Sequence, residues 1–151
     1  RGVGVGASLT STLSELPIGK GEVLKHGDDL LILAVGSSVK EALSARAQLK
    51  ADNIEATVVN CRFIKPLDAE LIGNLARRIQ KVITVEENVL HGGFGSAVLE
   101  SLNSQDIVNV RVKRLGIADI FVEHGPQRQL RSVYGVDAHA IIKTARQLLD
   151  K

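Results

Sequence analysis

The chain has no methionine and no tryptophan, and only one cysteine, one tyrosine, three phenylalanines and three prolines among 151 residues. Each shortage removes a class of protein. Aromatics at 3% leave no stacking platform of the kind that single-strand nucleic-acid binders use for successive bases. Cys61 cannot pair within the chain, and His26, His91, His124 and His139 are too dispersed to form a ligand cluster with it. Neither a disulfide framework nor a metal centre is therefore expected. A lone thiol fits a reducing compartment, a bacterial cytoplasm or a plastid stroma. No apolar run approaches the roughly 20 residues that cross a bilayer, and the N-terminus lacks the basic, apolar, small-residue order of a signal peptide. A soluble protein with no membrane partner is the expectation. Charge of one sign is missing too: 19 Lys and Arg against 17 Asp and Glu leave a formal net charge of +2 with no basic stripe, so nucleic acid is not an expected partner.

What is present is an ordinary globular composition, 44% hydrophobic and 24% charged, at the length of one domain. A chain of this length can bury roughly two thirds of its unfolded surface, enough to fold without staples. It opens on Arg1, and with methionine absent throughout this implies a piece cut from a longer polypeptide. Residues 1–16, beginning with the glycine-rich Arg1-Gly2-Val3-Gly4-Val5-Gly6, follow no hydrophobic period and suggest an interdomain arm. Residues 17–151 are then the domain.

Within it, Gly19–Leu24 and Asp29–Val35 flank a His26-Gly27-Asp28 turn, which predicts a hairpin whose second strand is buried on both faces. Gly36-Ser37-Ser38 precedes a helical spacing through Leu49, with Ser37 or Ser38 as N-cap. The unit repeats: a strand at Ala56–Asn60, the Lys65-Pro66-Leu67-Asp68 stop and cap, and a helix over Ala69–Ile79. A third strand at Lys81–Glu87, a glycine turn and a helix over Ser96–Leu102 follow. Next come a strand at Val108–Leu115 and helices at Gln127–Tyr134 and Asp137–Leu149. This alternation predicts a three-layer α/β/α fold with a mostly parallel five-stranded sheet and one antiparallel edge strand.

Chemistry concentrates in Val85-Glu86-Glu87-Asn88-Val89-Leu90-His91-Gly92-Gly93-Phe94-Gly95-Ser96, beyond a strand's carboxyl end, where open α/β sheets carry their functional loops. Amides at Gly92, Gly93 and Gly95, with Ser96 at the helix start, can bind an anion. The segment nonetheless lacks the Lys-Ser/Thr pair of a triphosphate loop and the full glycine spacing of a dinucleotide fingerprint, so a tight turn requiring glycine is the stronger reading. Glu86 and Glu87, adjacent on a strand, point to opposite faces and cannot share a proton; one is expected to cap or pair locally, the other to be solvated or at an interface. His91 is a general acid or base, or an exposed loop histidine; no nucleophile or orienting carboxylate stands beside it, which favours the second. Cys61 precedes Arg62, which can activate a thiol, yet a small buried hydrophobe is the better reading. No catalytic residue, cofactor site or metal site is assigned on this basis.

Taken in order, Pro17-Ile18-Gly19-Lys20-Gly21, Arg62-Phe63-Ile64-Lys65-Pro66-Leu67-Asp68, Val85-Glu86-Glu87-Asn88, Gly92-Gly93-Phe94-Gly95-Ser96 and Glu123-His124-Gly125 resemble the C-terminal third of the 1-deoxy-D-xylulose-5-phosphate synthases. The opening stretch resembles that family's Arg-Gly-Asn-Gly segment, with Val3 in place of the asparagine. The resemblance implies a transketolase C-terminal-like domain within a transferase that uses thiamine diphosphate and Mg²⁺ to decarboxylate pyruvate. The two-carbon unit then passes to D-glyceraldehyde 3-phosphate, feeding isoprenoid, thiamine and pyridoxal synthesis. It further implies that cofactor and metal sit in upstream thiamine-binding domains of the same polypeptide, that the whole enzyme is a homodimer, and that this piece alone is inactive. Arg1 aligns with an arginine that holds the substrate phosphate in the full-length enzyme. A β-type subunit of a 2-oxo acid dehydrogenase, or a regulatory phosphate- or nucleotide-binding module at Gly92–Ser96, is the alternative.

Overall fold

The computed structural model describes residues 15–150. Five strands form one sheet: β1 (Glu22–Lys25), β2 (Leu30–Ala34), β3 (Ala56–Asn60), β4 (Lys81–Val89) and β5 (Arg111–Ile117). Five helices accompany them: α1 (Ser38–Leu49), α2 (Ala69–Ile79), α3 (Phe94–Ser104), α4 (Gln127–Val133) and α5 (Ala138–Leu149), with a 3-10 turn at Lys50–Asp52 after α1. The strand order is β1-β3-β2-β4-β5, parallel throughout except for β1, which runs antiparallel to β3.

All five residues of β2 are buried, because the strand is central and helices cover both faces. One face packs Leu30, Ile32, Val58 and Ile83 against α1 and α5 through Ala42, Ala45, Leu49, Ile141 and Leu148. The other packs Leu31, Leu33, Val59 and Val82 against α2 and α3 through Ile72, Ala76, Phe94 and Val98. Each fully buried Leu, Ile or Phe contributes about 1.5–3 kcal/mol relative to exposure, so the two sheet faces dominate the stability. The short α4 has no buried residue and lies at the margin.

The sequence predicts a β1–β2 hairpin; the structure has none. β1 pairs instead with β3, Glu22 opposite Asn60 and Val23 opposite Val59. The turn between β1 and β2 is held by β3's leading end rather than by its own strands. Gly27 N donates to Thr57 Oγ1 at 3.0 Å, Thr57 Oγ1 donates to Gly27 O at 2.5 Å, and Glu55 N donates to the Asp29 carboxylate at 2.8 Å. The turn therefore steps over β3, which takes the place between β1 and β2.

Helix boundaries follow their caps. Asp68 accepts from Leu71 N at 3.2 Å to open α2, and Asp137 accepts from Ala140 N at 2.9 Å to open α5, both as the sequence predicts. Ser37 occupies the N-cap of α1 but makes no cap bond, and Ser38 Oγ is buried without a partner. α3 begins at Phe94, two residues before the expected Ser96, because a buried carboxylate from β4 caps it.

Candidate functional site

The chain runs β2–α1–β3 across one face of the sheet, then β3–α2–β4 and β4–α3–β5 across the other. Connections from β2 and β4 thus leave in opposite directions, and the crevice between their carboxyl ends is where a sheet of this kind takes a ligand. Gly36 and Ser37 approach it from β2; Glu86 and Glu87 approach it from β4.

The two glutamates turn to opposite faces. Glu86 is 1% exposed, and its carboxylate accepts from Phe94 N and Gly95 N, each at 2.8 Å. A charged acceptor on the first amides of α3 is a strong arrangement, because the unsatisfied donors and the positive end of the helix dipole coincide there. Gly92 N donates to Ser96 Oγ at 3.2 Å, Ser96 Oγ donates to Leu90 O at 2.9 Å, and Arg114 Nη1 donates to both acceptors at 3.0 and 3.1 Å. The amides of Gly92, Phe94 and Gly95, together with the Ser96 hydroxyl, are thus committed within the chain. Gly92 lies at φ +69°, as a tight turn requires. Gly93 is demanded by space, since a Cβ there would stand 2.3 Å from Val89 O and 2.4 Å from Glu86 Oε2.

On the other face, Glu87 accepts from Ser37 Oγ and from Arg131 Nε, and Arg131 Nη1 also donates to Glu41 Oε1 at 3.3 Å. Glu41 in turn accepts from Ala138 N, the first amide of α5, at 3.1 Å. Ser37 therefore leaves its cap duty to bridge the crevice, and Arg131 ties α4 to β4 and α1. Beside this knot lies a cleft of about 550 Å³, lined by Lys40, Glu41, Arg128, Arg131, Asp137 and His139. Its two acids are already spent, Glu41 on Arg131 and α5, and Asp137 on its own helix.

The remaining candidates are scattered. His91 is exposed, as are His26, His124 and His139. Among the described residues no three His, Cys, Asp or Glu side chains converge as a metal site would require. Nor is any helix there long and apolar enough to cross a membrane. Arg1 lies outside the described residues. Cys61 is 3% exposed, and burial, with Asp68 nearby, pushes its thiol up to about 12, only partly offset by a backbone hydrogen bond with Ala34. Arg62 does not activate it; its guanidinium turns away to Glu22. With folded Cys61 ionising far above the ordinary 9.0, stability from this group is complete below pH 9 and drains as the pH climbs towards about 12. Cys61→Ala is expected to flatten that part of the pH–stability profile, as read by denaturant melts between pH 8 and 10.5; an unchanged slope refutes the assignment.

Sequence reasoning missed Arg131, Glu41 and Arg114. Glu86's role was half visible: the adjacent pair on a strand guaranteed opposite faces, and the glycines six to nine residues on marked a helix start close enough to cap.

A family model described as "Transketolase, C-terminal domain" matches residues 19–141. The 1-deoxy-D-xylulose-5-phosphate synthase of Halothermothrix orenii is 50% identical over 151 residues, covering 100% of this chain and 24% of that protein. The 1-deoxy-D-xylulose-5-phosphate synthase 1 of Geobacter sulfurreducens is 53% identical over 149 residues, 99% of this chain and 23% of that protein. The chain thus spans about a quarter of the length of these relatives, less than the third its motifs suggest. Among solved structures, a split gene transketolase described as an inactive beta4 tetramer superposes with a TM-score of 0.83 at 36% identity, over 89% of this chain and 44% of that one. Transketolase from Leishmania mexicana, at 18% identity over 87% of this chain and 18% of that one, shares the fold with a TM-score of 0.64. With a family match across most of its length and half its residues identical to these relatives, the chain belongs to the transketolase C-terminal domain family.

Proposed function

We propose that this chain is the C-terminal domain of a 1-deoxy-D-xylulose-5-phosphate synthase and serves it as a structural, dimer-supporting element. The enzyme is a cytoplasmic transferase that condenses pyruvate with D-glyceraldehyde 3-phosphate. The observation that carries the reading is identity of 50% sustained over all 151 residues to a synthase. The site's chemistry supports it. Every acid at the β2–β4 crevice caps a helix or pairs with an arginine, so none is left to act as a base. Those donor sets do not fit thiamine diphosphate or Mg²⁺. A diphosphate at the α3 amides would have to displace Glu86, and the same holds for a regulatory phosphate or nucleotide at Gly92–Ser96. Cofactor and metal belong, on this reading, to domains preceding residue 17 in the same polypeptide, with residues 1–16 as the connecting arm. Arg1 is the one contribution to substrate, a planar guanidinium suited to the phosphate of glyceraldehyde 3-phosphate.

The resemblance to a split gene transketolase favours a second arrangement, in which the thiamine-binding partner is encoded separately. Turnover separates the two. The longer gene product, supplied with pyruvate, glyceraldehyde 3-phosphate, thiamine diphosphate and Mg²⁺, is expected to release CO₂ and form the five-carbon product. Residues 1–151 alone are expected to form none. Product from the short chain overturns the reading, and a requirement for a second polypeptide favours the split form.

A further inference from the structure

We propose that the carboxyl end of the sheet is the face on which this domain docks against the preceding part of its own polypeptide, with Phe121 as the anchor. The proposal rests on the reading of the chain as one domain of a longer enzyme. Six exposed large apolar side chains lie at this end, three on each flank of the sheet. Leu16 and Ile18 precede β1, whose first residue lies opposite the last of β3; Ile64 follows β3; Ile120, Phe121 and Val122 follow β5. The chain has only three phenylalanines; Phe94 is fully buried, whereas Phe121 is 102% exposed. Leaving such a ring in water is unfavourable, and three consecutive exposed apolar side chains, Ile120 to Val122, are the kind of exposure that marks an interaction surface. Little in the domain itself organises the loop. Among the described residues its backbone bonds are Ile120 N to Ala118 O at 2.7 Å and Glu123 N to Tyr134 Oη at 3.5 Å.

The occupant follows from where the chain arrives. Because β1 is antiparallel, the polypeptide enters the domain at the same end that carries the exposed apolar groups. The synthase relatives carry about three quarters of their length outside the matched region. Covalent attachment at this end gives that remainder an effective concentration of about millimolar, ahead of any untethered partner. The ligand-binding end of the sheet is thus given over to contact between domains, in keeping with a crevice whose acids are all paired.

Two single-cysteine reporters in the longer polypeptide test this, Phe121→Cys at the proposed face and Val108→Cys at the opposite end of the sheet, where Val108 is 78% exposed. Buried Cys61 adds no background. Maleimide labelling read peptide by peptide is expected to be at least about tenfold slower at 121 than at 108 at every protein concentration. Equal rates overturn the proposal, and so does slow labelling at 121 that disappears on dilution, which would mean a second copy covers the face. Amide exchange of residues 118–123 in the unsubstituted polypeptide gives the same contrast without a variant. Fast exchange there sinks the docking face while product formation continues to support the enzyme assignment; a gene product of only 16.2 kDa sinks both.

Discussion

Glu86→Gln is expected to lower the stability of the domain by about 3 kcal/mol, a fall in melting temperature of about 9 °C for a chain of this size. The substitution keeps the volume of a side chain that is 1% exposed, so packing changes little. What changes is the pairing at the start of α3. The carboxylate gives one oxygen to Phe94 N and the other to Gly95 N. Glutamine has a single oxygen, and its NH₂ group must face whichever amide the oxygen does not reach, donor against donor. The loss is one charge-assisted bond, the charge that complements the helix dipole, and the desolvation cost of an orphaned amide. Part is returned because a neutral amide costs less to bury than a carboxylate. Thermal unfolding followed by circular dichroism decides it; a shift below about 2 °C would mean that the cap contributes little.

Gly93→Ala should be more damaging, at about 4 kcal/mol or more, through overpacking against parts that cannot yield. The new methyl would sit 2.3 Å from a backbone oxygen at the end of β4 and 2.4 Å from the Glu86 carboxylate. Gly93 is itself extended, at φ −82° and ψ −166°, so alanine could adopt its backbone without strain and the whole penalty is contact. That makes a sharp test of coupling. Because the methyl expels the very carboxylate that Glu86→Gln weakens, the double variant is expected to be at least about 1 kcal/mol more stable than the sum of the two singles implies. Strict additivity in a denaturant double-mutant cycle would show that the Val89 carbonyl alone carries the clash.

The sequence makes some of this arrangement legible and hides the rest for definite reasons. Leu30–Ala34 reads as a strand covered on both faces because it is uniformly apolar, and Asp68 and Asp137 announce their helices because capping is local. The pairing of β1 is not local. Alternation identifies a strand without naming its neighbour, and the chain's shortest connection suggested β2 where the sheet required β3. The candidate site divides along the same line. The opposed directions of Glu86 and Glu87 follow from the two-residue repeat of any strand, whereas Arg131 reaches Glu87 across 44 residues and Glu41 across 90. No spacing rule links such distant positions, so the knot that ties the crevice was invisible until the sheet had been assembled. The glycine turn illustrates the converse: its amides announce an anion, but only the three-dimensional register assigns that anion to a side chain of the preceding strand.

The insertion of β3 between two strands that precede it sets the order in which the sheet can be built. β1 and β2 reach each other through a short turn long before β3 is available, and any hairpin they form must open to admit it. β1 can take its native place only once β3 is there to pair with it, and β3 reaches β2 only by way of α1. Closing these longer loops first makes folding slower than the domain's modest size suggests.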